Sequence, residues 1–264
     1  MKGCMIMKMF DRLKRRIPLL LAIFCCCIAA AVSGAVNLNN TAREAALGAV
    51  PKKVVVIDAG HGGIDGGCVG TNGAYEKDIN LSIAKNLGAL LSFEGYEVVY
   101  TRSEDISIYD DGVTGIRNQK ISDMENRLEI IQSYPDSVFL SIHQNQYTKS
   151  EYFGGQMFYT TNHKGNFRLA TIMQERFAEL QPGNDREIKL IDNNLYLFKD
   201  TKQPALLIEC GFLSNPNDAA NLSSAEYQKK VAFTIYKGLT EYLKETENKE
   251  NLTNGETESF LYMQ

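Results

Sequence analysis

The chain has 264 residues, 44% hydrophobic and 23% charged, ordinary values for one sizeable globular domain with short extras. Its formal net charge is −4, and the first 35 residues hold six Lys and Arg against one acid, so the remainder is distinctly acidic. That balance excludes nucleic acid, which needs a basic footprint, and the acids are read as a solvated surface.

In chain order, the basic stretch MKGCMIMKMFDRLKRR precedes an unbroken apolar run, IPLLLAIFCCCIAAAVSGAV, at 17–36. Residues 1–36 are therefore expected to be a secretory signal peptide or a membrane anchor, with the positive charges on the cytoplasmic side. Either role places the body outside the cytoplasm, secreted or anchored. Residues 37–52 are polar and Ala-rich without a period and read as a linker. Four of the six cysteines fall in the leading segment, leaving Cys68 and Cys210. No CxxC pair exists, which excludes a cysteine zinc site; the two thiols are read as small buried side chains, with a bridge as the alternative.

From Lys53 to Lys244 the pattern alternates. KKVVVIDA is a short buried strand, and apolar residues at Ile79, Ile83, Leu87, Leu90 and Leu91 predict a helix over 75–94. A strand follows at 96–101, then a helix over 118–133 with Ile121, Met124, Leu128 and Ile131 on one face. Strands are expected at 137–143 and 155–160, a helix at 165–180, a β-prone stretch at 188–198 and a strand at 205–210. An amphipathic helix at 224–244 closes the domain, and the polar residues 245–264 read as a disordered tail. Strands alternating with helices predict a single α/β domain: a mostly parallel central sheet with helices on both faces. In such sheets, ligands bind beyond the carboxyl ends of the strands.

Three of those ends carry chemistry. VVVIDA delivers His61, SVFLSI delivers His143, and ALLI delivers Glu209. Two imidazoles at one rim are the start of a zinc site, whose catalytic form takes three protein ligands and keeps a position open. The third ligand is expected to be a carboxylate near His61. Glu76 leads, because the glycine-rich loop between them can fold back tightly; Asp65, inside that loop, competes. Asp58 is expected to orient His61 by accepting from its ring. Glu209, at the end of a buried strand, suits a proton acceptor for an attacking water. The third histidine, His163, lies in a turn and reads as exposed and idle. The glycine run lacks both the dinucleotide and the P-loop spacing, and no HExxH is present.

VVIDAGHGGIDGG, the glutamate at 76, FLSIHQN and LLIECGFLSNPND resemble, in this order, the zinc-dependent N-acetylmuramoyl-L-alanine amidases of bacterial cell walls, over about 53–244. The resemblance implies that His61, Glu76 and His143 bind Zn2+, that Glu209 is catalytic, and that peptidoglycan is the substrate. The bond cleaved would join N-acetylmuramic acid to L-alanine. GIRNQKISDMENRLEII and YFGGQMFY further resemble sporulation-type amidases, which trim the spore cortex. Asn145 is a candidate substrate contact, and Gln144 and Gln146 beside it depart from the smaller residues common in the family. The loop 103–118 is too polar to plug an active site as the inhibitory helix of some relatives does. The competing function is a zinc peptidase acting on stem-peptide bonds; no protein partner is named by the sequence.

Overall fold

The computed structural model describes residues 53–191 and 195–261, with side chains described as far as Lys249. The expected leader, the linker and the middle of the 188–198 stretch lie outside the described residues. Six strands form one sheet: β1 (Val54–Ala59), β2 (Glu97–Tyr100), β3 (Val138–Asn145), β4 (Gln156–Tyr159), β5 (Lys189–Leu190) and β6 (Ala205–Phe212). Among the described residues, five helices accompany them: α1 (Glu76–Phe93), α2 (Ile116–Gln132), α3 (Asn166–Leu180), α4 (Pro216–Leu222) and α5 (Ala225–Leu261).

The spatial order is β2-β1-β3-β6-β4-β5, in which β2, β1, β3 and β6 are mutually parallel. Helices α1 and α2 supply the crossovers that parallel pairing requires. The link from β3 to β4 holds no helix, and β4 returns antiparallel to β6, with β5 parallel to β4. The expected mostly parallel sheet is what forms, with two reversed strands at one edge.

Side chains alternate along each strand, which divides the core in two. Val55, Ile57, Leu140, Ile142, Leu206 and Ile208 face one side, where α1, α3 and α5 bury Ile83, Leu87, Met173, Phe177, Ile235 and Leu239. Val56, Phe139, Ala205 and Leu207 face the other, against Ile131 of α2 and the turn that carries Leu197 and Phe198. At about 1.5–3 kcal/mol for each large apolar side chain buried, these two layers are the main stabilising term.

Four local readings need correction. Helix α5 does not stop at 244 but runs to Leu261, through the expected disordered tail. No proline interrupts that stretch, and its polar side chains reach back: Glu245 pairs with Arg168 at 2.6 Å and Glu247 with Lys53 at 2.8 Å. Ile121, expected on the buried face of α2, is 47% exposed, and Arg127 takes its place in the interior. Among the described residues of 188–198, only Lys189 and Leu190 pair as a strand. The seven-residue α4 was not anticipated; Asn215 caps it by accepting from the N–H groups of Asn217 and Asp218, and Pro216 opens it.

Candidate active site

Alternation along the strands decides what meets at their carboxyl ends. In the parallel register Asp58 lies beside Ser141 and His143 beside Glu209, all four on the side facing α2. His61 follows β1 after one glycine. A Cβ on Gly60 would coincide with the His143 ring, so only glycine lets the first loop pass that close. His61 itself has φ 62, a left-handed backbone that costs a residue with a Cβ about 1–2 kcal/mol. The loop then doubles back. Gly62 and Asp65 exchange backbone hydrogen bonds of 2.9 and 3.0 Å, and the Glu76 N–H donates to Cys68 O at 3.0 Å. This hairpin sets Glu76, the first residue of α1, over the strand ends, as the glycine content led us to expect. A Cβ on Gly67 would approach Glu76 Oε2 to 2.6 Å, so the return path also needs glycine.

Glu76 Oε1 lies 3.3 Å from His61 Nε2 and 3.0 Å from His143 Nδ1, and one donor atom from each residue falls within 4.8 Å of the others. The Gln144 N–H at 3.0 Å and Asn80 Nδ2 at 3.3 Å also donate to Glu76 Oε1, and the Cys68 N–H donates to Oε2 at 2.9 Å. Burial alone would raise the Glu76 carboxyl; His143 and His61 outweigh it and hold the group well below the usual carboxylate range. Burial likewise works against a charged His61, yet Asp65 and Glu76 lift its pKa to about 9. A pocket that favours a proton so strongly on an imidazole is one built for positive charge. Two imidazole nitrogens and a carboxylate oxygen at this spacing are the donor set that zinc takes.

Glu209 stands beside this cluster. Its Oε2 is sealed from solvent and has no hydrogen-bond partner among the described residues. Burial is the main reason its pKa rises to about 7, with Glu76 adding to the effect and the two histidines opposing it. The group can thus hold or release a proton near neutrality, as a general acid–base requires. A cavity of about 290 Å³ opens over these residues, lined by His61, His143, Glu209, Met124, Tyr196 and Phe198 among others.

The remaining candidates fall differently. Asp58 does not touch the His61 ring. Its Oδ1 accepts from Arg127 Nη1 and Thr101 Oγ1, each at 2.7 Å, and its Oδ2 from Ser141 Oγ at 2.6 Å. The acceptor at His61 Nδ1 is Asp65, at 3.0 Å, because the left-handed turn swings the ring away from β1. Asp65 is thereby an orienting partner of His61 and stands outside the donor cluster. Asn145 turns its Oδ1 onto the N–H of Gln146 at 2.8 Å and does not line the cavity. His163 is half-buried, its Nδ1 accepting from the Gly165 N–H, beside the amino ends of the parallel strands and away from their carboxyl ends. Cys68 and Cys210 are both free thiols. The 103–118 loop braces the glycine turn: Asp105 accepts from the Gly63 N–H at 2.9 Å and Ser107 donates to Gly62 O at 2.7 Å. Arg127 was missed in the sequence, although a buried Asp58 calls for a cation and Arg127 lies on the same helical stripe as Met124 and Ile131.

Comparison with known proteins carries the chemistry further. The family model of N-acetylmuramoyl-L-alanine amidases matches residues 55–241. The germination-specific N-acetylmuramoyl-L-alanine amidase of Bacillus subtilis is 35% identical over 193 residues, covering 73% of this chain and 81% of that protein. Among solved structures, the CwlD amidase of Clostridioides difficile, in complex with the GerS lipoprotein, is 38% identical with a TM-score of 0.70 over 73% of this chain and 99% of that one. The catalytic domain of the CwlV amidase of Paenibacillus polymyxa is 34% identical with a TM-score of 0.61, covering 73% of this chain and 98% of that one. Matched over most of its described length and folded as these relatives are, the chain belongs to the N-acetylmuramoyl-L-alanine amidase family of peptidoglycan hydrolases.

Proposed function

We propose that the protein is a zinc-dependent amidase that strips stem peptides from spore-cortex peptidoglycan, with His61, Glu76 and His143 holding the metal and Glu209 carrying protons. The observation that carries this reading is the convergence of three donor atoms within 4.8 Å, beside a carboxyl whose Oε2 is sealed and unpartnered. Zinc at such a position supplies Lewis acidity, acidifying a water and polarising a carbonyl. Glu209 takes a proton from the attacking water and returns it to the departing amino group of L-alanine, so the proton count closes within one residue. Asp65 holds the His61 ring by its Nδ1, and Asn80 and the Gln144 N–H steady the Glu76 carboxylate. The cortex assignment is supported by the likeness to the germination-specific amidase and to CwlD, and the GerS complex of the latter supports a lipoprotein partner. The basic and apolar leader supports action outside the cytoplasm.

The test is mass spectrometry of the products formed from purified peptidoglycan. Stem peptides with a free L-alanine amino terminus are expected, with activity abolished by a chelator and restored by zinc. Release of D-alanine instead would make the enzyme a stem-peptide peptidase, and activity surviving chelation would refute the metal. Cortex from spores lacking the gene should be free of muramic lactam, while the vegetative wall is unchanged.

A further inference from the structure

Two buried arginines take up every backbone carbonyl from Ala59 to His61. Arg102 donates from Nε to Ala59 O at 2.8 Å and from Nη2 to Gly60 O at 3.0 Å. Arg127 donates from Nη1 to Ala59 O at 2.9 Å and from Nη2 to His61 O at 2.7 Å. The rest of the Arg127 fork is also engaged: Nη1 meets Asp58 Oδ1 at 2.7 Å, and Nε meets Asp123 Oδ2 at 2.8 Å. Arg127 is 2% exposed and Asp58 1%. A buried ion pair of this kind contributes little net stability compared with apolar replacements, so its presence calls for another purpose.

That purpose lies at His61, which among the described residues is the one non-glycine with positive φ. The direction of a Cα–Cβ bond follows from the backbone, so whatever holds φ at 62 sets the direction in which the imidazole leaves the chain, and Asp65 at Nδ1 then fixes the ring. We propose that Arg127 is a positioning residue for the metal centre, which anchors the His61 carbonyl from a rigid seat on Asp58 and so keeps the imidazole aimed at Glu76 and His143. The seat spans both histidine-bearing elements, because Asp58 on β1 also accepts from Ser141, two residues before His143 on β3. Planarity matters as much as charge: one guanidinium reaches Asp58, Asp123, Ala59 O and His61 O together, which the point charge of a lysine cannot do.

The inference rests on the metal reading proposed above, and the experiment separates the two. Zinc dissociation constants of the purified full-length protein, of Arg127→Lys and of the double variant Asp58→Asn/Arg127→Gln are measured by competition with a chromophoric chelator. Far-UV circular dichroism and thermal unfolding are recorded alongside. The double variant removes both charges of the buried pair at once; Asp123 also loses its cation, but it is less deeply buried and its other oxygen still accepts from the Ile108 N–H. Tight zinc binding is expected for the wild type, and binding about 10–100-fold weaker in both variants, with native secondary structure. Zinc affinity within threefold of wild type in either folded variant overturns the positioning role, even if unfolding temperatures drop, because a merely structural arginine would lower stability alone. Failure of both variants to fold overturns it too, since the contribution would then belong to the whole fold. Absence of zinc binding in the wild type refutes the metal centre itself, a distinct result.

Discussion

Replacing Glu209 by glutamine separates the proton-transfer role proposed for it from its place in the fold, and the two effects have opposite signs. The side chain keeps its size, and the three residues of the proposed zinc site are untouched, so zinc content should stay at the wild-type level. Losing a positioned general acid–base costs about 10²–10⁴-fold in rate. Stability moves the other way. The Glu209 pKa stands at about 7 instead of 4.5, chiefly through burial. At about 1.36 kcal/mol per pKa unit, ionising this carboxyl in place costs the folded state about 3 kcal/mol. The unfolded chain releases the proton above 4.5 and the folded chain only near 7, so wild-type stability falls across that window and is level on either side. Glutamine has no charge to place there. Urea unfolding of chelator-treated protein at several pH values should therefore show Glu209→Gln gaining up to about 3 kcal/mol over wild type at pH 8 and nothing at pH 4. Parallel stability curves for the two proteins, or amidase activity within tenfold of wild type, would refute the reasoning.

Two other outcomes are expected. Gly60→Ala should fold yet lose zinc by at least tenfold, because its methyl group occupies the place of the His143 ring; elemental analysis after dialysis checks this. Asp58 behaves as the mirror of Glu209: burial would raise its carboxyl, but Arg127, with smaller help from His143, Ser141 and Thr101, holds the pKa down to about 2. Its contribution is present above the ordinary value of 3.8 and is lost as pH falls through about 2, giving about 2 kcal/mol of acid sensitivity that Asp58→Asn should abolish in a pH-dependent unfolding series.

Most of the architecture was legible because it depends on short-range patterns. Short apolar runs marked β1, β3 and β6, and each delivered its polar residue to the same end of the sheet. Glu76 was legible as well, since a loop with that much glycine has few other uses. What stayed hidden depended on backbone angles and on long-range charge. Nothing in the local pattern says that His61 adopts φ 62, and that single angle moves its partner from Asp58 to Asp65. Arg127 reads as an interruption of an apolar stripe until the buried Asp58 is placed opposite it. In α5, polarity beyond residue 244 reads as disorder, but a helical extension needs no apolar face when ion pairs such as Glu245 with Arg168 tether its base. The α4 helix was too short for periodicity to register, although Asn215-Pro216 is a start signal.

The unequal dressing of the sheet has one last consequence. Among the described residues, helices α1, α3 and α5 crowd one side, whereas α2 and a turn roof the side bearing His143 and Glu209. A cross-linked sacculus cannot be threaded into an enclosed chamber; it has to be met laterally, by a tool whose cutting edge lies in an open cleft. By massing its scaffold behind the blade, this fold offers its working edge to a net far larger than itself.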